Sequence, residues 1–263
     1  MIEAAIAIIL SYLQTSELIS LFRLYPEYGN ITQKFIKIFN LVESCTSMTG
    51  ADLRYLKGIQ SINLARCKKI SDGDLEYLRG VQSISLTRNN RITDRGLAIL
   101  KGVKVINLSY CNQITERGIE CLKGVEVINL SNCRGVTDRA LESLKGVRSI
   151  YLYQCNSITD DGLESLKGAH TIDLSYCLRI TDRGLKHLKG VDTIDLSGCQ
   201  MTDTGIKYLE GVKNINLTGC PWVKRWGVEY LYQKGTTTIR CPSGSIYAPR
   251  LTRYQDFPDY DFR

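Results

Sequence analysis

A ten-residue phrase, Gly102 through Cys111 (Gly-Val-Lys-Val-Ile-Asn-Leu-Ser-Tyr-Cys), returns with small edits every 22 residues. Its opening glycines are Gly58, Gly80, Gly102, Gly124, Gly146, Gly168, Gly190 and, one residue early, Gly211. Its central leucines keep the same step: Leu64, Leu86, Leu108, Leu130, Leu152, Leu174, Leu196 and Leu217. A fixed period in the twenties makes each unit one supersecondary element that cannot bury its apolar face alone, so the units must stack. Stacked units expose a long shallow surface suited to binding, and they leave no deep pocket for chemistry.

One unit, residues 102–123, carries its own structural instructions. Ile106 and Leu108 alternate along a short strand, so Asn107 and Ser109 face away from them. Thr115 is suited to cap a helix, and Glu116 (Asp94, Asp138, Asp160, Asp182 and Asp203 elsewhere) complements the positive helix start. Ile119 and Leu122 share the buried face, Lys123 stands at the negative end, and Gly124 closes the helix in a left-handed conformation.

The ten cysteines follow the same grammar. Seven of them, Cys67, Cys111, Cys133, Cys155, Cys177, Cys199 and Cys220, sit three residues after a marker leucine. Stacking sets them in a row at about 4.8 Å per step. That is wider than the ~3.8 Å between Cβ atoms that a disulfide needs, and a straight row cannot wrap a tetrahedral metal. Buried free thiols are expected, and with them a reducing compartment, the cytoplasm or nucleus. No metal or cofactor is expected.

The pattern I-x-L-x-x-C-x-x-I-T-D-x-G-L-x-x-L, carried by Ile172, Leu174, Cys177, Ile180, Thr181, Asp182, Gly184, Leu185 and Leu188, resembles the cysteine-containing leucine-rich repeats. The resemblance implies an α/β solenoid (a horseshoe), with parallel strands on the concave face and short helices on the convex face. Three regions are expected: a helical module over 1–35, the solenoid over 36–241, and a C-terminal cap or tail over 242–263. Within the second, a strand over 36–43 and a helix over 49–57 form an imperfect first unit, with Cys45 and Leu53 in register. Ile239 and Cys241 belong to a degenerate last strand.

Residues 9–24, Ile-Leu-Ser-Tyr-Leu followed by Glu-Leu-Ile-Ser-Leu, are similar to the middle of an F-box, with Tyr28 where that motif has Trp. The Leu-Pro-x-Glu opening of the motif would fall on Met1-Ile2-Glu3-Ala4, which lacks the proline and the second acid. The resemblance implies an F-box/LRR-type substrate receptor of a cullin–RING (SCF-type) ubiquitin ligase. Leu10, Leu13, Leu18 and Leu21 would engage the adaptor subunit, and a protein substrate would dock on the concave face. The other reading is a stand-alone monomeric scaffold whose N-terminal helices only cap the first repeat. The apolar start, Ile2 to Leu10, is too short to span a bilayer and reads as a buried helix.

Outward positions are mostly small and polar. The exceptions are Tyr110, Tyr151, Tyr153 and Tyr176, flanked by Asp173 and Asp195. Tyrosine offers large contact area at low entropy cost, so these six residues are the expected partner-binding site. Stacking of the tyrosines along the ladder is the structural alternative.

The net charge of +7 traces to Lys57, Arg79, Lys101, Lys123, Lys145, Lys167 and Lys189 at helix ends, each worth about 0.3–1 kcal/mol there. A second row is Arg95, Arg117, Arg139 and Arg183. Acids interleave these rows and aromatic residues do not, which disfavours nucleic acid as the partner. The two histidines, His170 and His187, have no nucleophile or acid grouped with them in sequence, and no catalytic residue is assigned.

Overall fold

The computed structural model describes residues 2–35 and 46–241, together with the backbone of Ile246–Tyr247. The expected strand over 36–43, the register of Cys45 and nearly all of the 242–263 tail lie outside the described residues. The described residues fall into two compact units that part between Val125 and Glu126.

The first unit opens with three helices: α1 (Ile2–Ser11), α2 (Thr15–Leu24) and α3 (Pro26–Lys34). Gln14 and Glu17 start α2 with a reciprocal capping box, and Pro26 starts α3 at the position where a missing N–H costs nothing. Helix α3 packs on α1, on α2 and on the turn Arg54–Leu56 of the first repeat. Phe22 meets the Tyr55 ring at 5.6 Å, and Gly29 leaves room for that ring. Arg23 donates from Nε and Nη2 to the two Asp52 carboxylate oxygens at 2.9 and 2.7 Å. Burial alone would raise the Asp52 carboxyl, but Arg23 and Thr49 outweigh it and hold the group below its usual range.

Three parallel strands follow in this unit: β1 (Ser61–Asn63), β2 (Ser83–Ser85) and β3 (Val105–Asn107). Ile62, Ile84 and Ile106 pair in register. The second unit continues with β4 (Val127–Asn129), β5 (Ser149–Tyr151), β6 (Thr171–Asp173), β7 (Thr193–Asp195), β8 (Asn214–Asn216) and β9 (Thr238–Arg240). Ile128, Ile150, Ile172, Ile194, Ile215 and Ile239 form one parallel ladder, and β10 (Ile246–Tyr247) adds antiparallel to β9. Each of β1 to β9 is three residues long, so the marker leucines of β1 to β8 lie just past the strand. Those leucines are fully buried. The helical side is a single turn of α or 3-10 helix in most units, because the 22-residue period leaves no residues for more.

Within each unit, adjacent repeats are clasped by the Thr-Asp pair. Asp94 accepts the Thr115 backbone N–H on Oδ1 at 2.8 Å and the Thr115 hydroxyl on Oδ2 at 2.6 Å. Asp72 holds Thr93 in the same way. In the second unit Asp138 holds Thr159, and Asp160 holds Thr181. Asp182 and Asp203 extend the series to Thr202 and Lys224. The sequence reading made this aspartate a helix-dipole partner; its larger role is to join one repeat to the next.

The clasp also explains a glycine. A methyl group at Gly118 would lie 2.4 Å from Asp94 Oδ1, and one at Gly184 would lie 2.5 Å from Asp160 Oδ1. Earlier the roles are exchanged: Asp52 and Asp74 cap Thr49 and Ser71 within their own units, and Gly50 is bare where Asp74 presses against it.

The cysteine row is buried and free of disulfides in the described residues. Each thiol finds a specific partner. Cys111 donates to the Leu86 carbonyl at 3.0 Å, and Cys155, Cys177, Cys199 and Cys220 reach Leu130, Leu152, Leu174 and Leu196 at 3.0–3.2 Å. Asn89 stands where a cysteine would fall and does the same with its amide, donating to Leu64 at 2.7 Å. Burial pushes the Cys111 thiol up to about 11 and those of Cys155 and Cys177 to about 12, so they stay protonated donors.

Candidate functional site

Past each strand the chain makes two built-in moves. The residue before the marker leucine turns the backbone: Asn63, Asn107, Asn129, Asp173, Asp195 and Asn216 each accept the backbone N–H two residues on at 2.8–3.0 Å. The residue two after the leucine then adopts a left-handed conformation. Arg66, Arg88, Tyr110, Asn132, Gln154 and Tyr176 do so with φ between 56° and 62°, while Gly198 and Gly219 hold the same place at 69° and 70°. The sequence reading counted this column as strand; it is the turn after the strand. A side chain at positive φ costs about 1–2 kcal/mol relative to glycine.

In the second unit Tyr153 and Tyr176 meet edge to face, with ring centroids 5.6 Å apart at 79°. Tyr176 is 47% exposed, and its ring lies over Gly198, where a methyl group would come within 2.7 Å. Tyr151 ends β5 and is only 6% exposed, so its expected place as an exposed contact of the patch is corrected. Asp173 and Asp195 are half-buried and serve the turns first. Asp195 also accepts from Asn216 Nδ2 at 2.8 Å. Burial pushes the Asp173 carboxyl up, Ser175 opposes this by hydrogen bonding, and nearby Asp195 adds to it.

Tyr110 lies in the first unit, where it has a different neighbourhood. The Arg88 guanidinium sits over its ring, 4.6 Å from the centroid. Arg66, Lys68, Arg88, Asn90, Tyr110 and Asn112 line a shallow cleft of about 440 Å³, and all six side chains are exposed. This cleft was missed in the sequence because its cations fall outside the two basic rows at the helices. Gly198 and Gly219 at the end of the column were the signal that its residues share a left-handed turn.

At the N-terminal helices the expected adaptor contacts divide. Leu10 and Leu18 are buried at 4% and 1% exposure, facing their own chain, which corrects their reading as direct contacts. Leu13 and Leu21 are half-buried. The outward apolar face is instead Ile2, Ile8, Ile9 and Tyr12, with Leu24 and Tyr25 at the end of α2. Ile2, Ala5 and Ile9 recur at helical spacing on one face of α1, with Ile8 next to Ile9 and Tyr12 just past the helix end. At the other end Trp222 and Trp226 are exposed, with Lys224 and Lys207 over their rings.

His170 Nδ1 lies 3.6 Å from Asp192 on the surface, and Asp192 pairs with Lys213 Nζ at 2.8 Å. Among the described residues no group of three His, Cys, Asp or Glu could hold a metal ion, and no helix is long and apolar enough to cross a membrane.

A leucine-rich-repeat model matches residues 192–209. No curated protein sequence matches the chain. Among solved structures, the chain is similar to one in the Drosophila Toll–Spatzle complex, with 15% identity and a TM-score of 0.53 over 64% of this chain and 24% of that one. It is similar to a chain in the mouse RP105/MD-1 complex, with 19% identity and a TM-score of 0.50 over 70% of this chain and 38% of that one. The yeast Rad7 and Elc1 complex matches over 89% of this chain and 86% of that one at 12% identity, and its TM-score of 0.43 is too low to carry a conclusion. The chain thus spans between a quarter and two fifths of the Toll-complex and RP105-complex chains it matches. The three-residue strands in parallel register, the buried leucines and the one-turn helices make this chain, in fold, a leucine-rich-repeat solenoid.

Proposed function

We propose that this chain is a non-catalytic protein-interaction module, and that its N-terminal helices are a degenerate F-box which couples a bound protein to an SCF-type ubiquitin ligase. One observation carries the proposal: α1 turns Ile2, Ile8 and Ile9 to solvent, with Tyr12 exposed just past its end, while α2 and α3 are fixed on the first repeat. A solvent-facing apolar stripe on a firmly mounted helix is a docking surface by its physics. On the repeat side, Tyr153 and Tyr176 form the protein-binding pair, and the module works as a monomer in the cytoplasm or nucleus.

The experiment is co-purification of the full chain with the ligase adaptor. Ile8→Asp with Ile9→Asp changes only exposed positions, so it should abolish adaptor retention at an unchanged melting temperature. Deleting residues 1–30 is a poorer test, since it strips Phe22 and Arg23 from Tyr55 and Asp52. A wild-type chain that never retains the adaptor favours the second reading, a stand-alone scaffold. The Phe22–Tyr55 and Arg23–Asp52 contacts support that reading, because they are what a simple end cap would make.

A further inference from the structure

We propose that the cleft between Arg66, Lys68, Arg88, Asn90, Tyr110 and Asn112 is a phosphoryl-recognition site, which holds a phosphoserine or phosphothreonine side chain of a protein partner. It rests on the protein-binding reading above and names the class of segment bound.

The lining supplies three cations and two amide groups and contains no carboxylate. Among the described residues no acid lies within ion-pair distance of Arg66, Lys68 or Arg88. Arg66 and Arg88 project from left-handed backbone that glycine would occupy without strain, as it does at Gly198 and Gly219. Among the described residues the Arg66 side chain makes no hydrogen bond or ion pair and Arg88 makes a cation–π contact with Tyr110, so arginine in place of glycine at this strained surface position points to a task for the side chain. Planar guanidinium groups match phosphoryl oxygens in paired hydrogen bonds, with Lys68 as a point charge beside them.

The corresponding positions of the second unit are Asn132 and Arg134, Gln154 and Asn156, Tyr176 and Leu178, Gly198 and Gln200, and Gly219 and Pro221: one cation in ten. The charge therefore belongs to this cleft and is no general property of the repeat. The cleft volume of about 440 Å³ accommodates a modified side chain with its flanking backbone. A protein segment is favoured over nucleic acid because the one aromatic ring in the lining, Tyr110, already carries Arg88 over its face and cannot stack a base.

Fluorescence anisotropy of the full chain tests this with a labelled degenerate peptide library bearing one fixed phosphoserine. The same library with serine, the same with glutamate and a single-stranded RNA 12-mer complete the set. The phosphoserine library should bind about tenfold or more tighter than the serine and glutamate libraries. Arg66→Gly and Arg88→Gly should each weaken it by about fivefold or more, at a melting temperature no lower than wild type. Inorganic phosphate should compete. Equal binding of the phosphoserine and glutamate libraries would reduce the site to a general acidic groove and overturn the proposal. So would no binding of the phosphoserine library, binding unaffected by both variants, or tighter binding of the RNA with the same losses. Adaptor retention through α1 is unaffected by the two glycine variants, so the cleft and the ligase reading fail separately.

Discussion

The same backbone position carries Arg66, Arg88 and Tyr110 in the first unit and Gly198 and Gly219 near the end of the second. Around it the framework barely changes: an isoleucine pairs across the sheet, a leucine fills the layer, and an aspartate clasps the next repeat. A repeat protein can thus hold its scaffold constant and vary one column of turn residues to write different surfaces. The first unit presents charge there, the second presents tyrosine and then bare backbone.

If the framework is common to both units, damage to it should cost the same in either. Leu86→Ala and Leu130→Ala each empty a fully buried layer position and should each lose about 2–5 kcal/mol of stability in denaturant titration. Widely different values would mean that the two units do not share one packing scheme. Asp94→Ala and Asp160→Ala each remove a charged acceptor of two hydrogen bonds and should cost about 1–3 kcal/mol.

The turn column should behave in the opposite way in the two units. Gly198→Ala places a methyl group at positive φ against the Tyr176 ring and should destabilise by about 1–2 kcal/mol. Arg66→Gly relieves the same strain and should gain up to about 1 kcal/mol, read as a higher midpoint.

The smallest effect is specific to the second unit. The Asp173 carboxyl is raised in the folded state, so the fold binds its proton more tightly than the unfolded chain. That contribution is present below the usual aspartate range and is lost as pH rises through the folded value. Asp173→Asn keeps the acceptor that Asn107 and Asn129 use at the same place. Its melting temperature should therefore exceed wild type at pH 7, with the gap closing toward pH 4. A constant gap across that range would show that the charge is not its source.

The period made the layers legible in advance, because burial of one leucine per unit is a local rule repeated. The thiol row was legible for the same reason, although its bonds to the leucine carbonyls were not: a partner 25 residues earlier is set by stacking. Tyr151 was expected to be exposed because alternation tells which face a residue takes and not how far its neighbours on that face cover it. Leu10 and Leu18 were assigned to an adaptor because the motif marks apolar residues and does not say which side of the helix the first repeat occupies. The cleft was hidden for a related reason: Arg66, Lys68 and Arg88 are scattered along the chain and meet only when two turns lie side by side.

The aspartate clasp has a consequence for how such a chain can change length. From Asp138 to Thr202 each joint is made by the same two side chains, so a cut between Thr159 and Asp160 and another between Thr181 and Asp182 expose interchangeable ends. Excising the stretch between them would present Asp138 with Thr159 and Asp182 with Thr202, the partners each already has. Gain or loss of a whole unit leaves no mismatched seam. At Lys224–Arg225 the Thr-Asp pair is lost, and there the series stops being copyable.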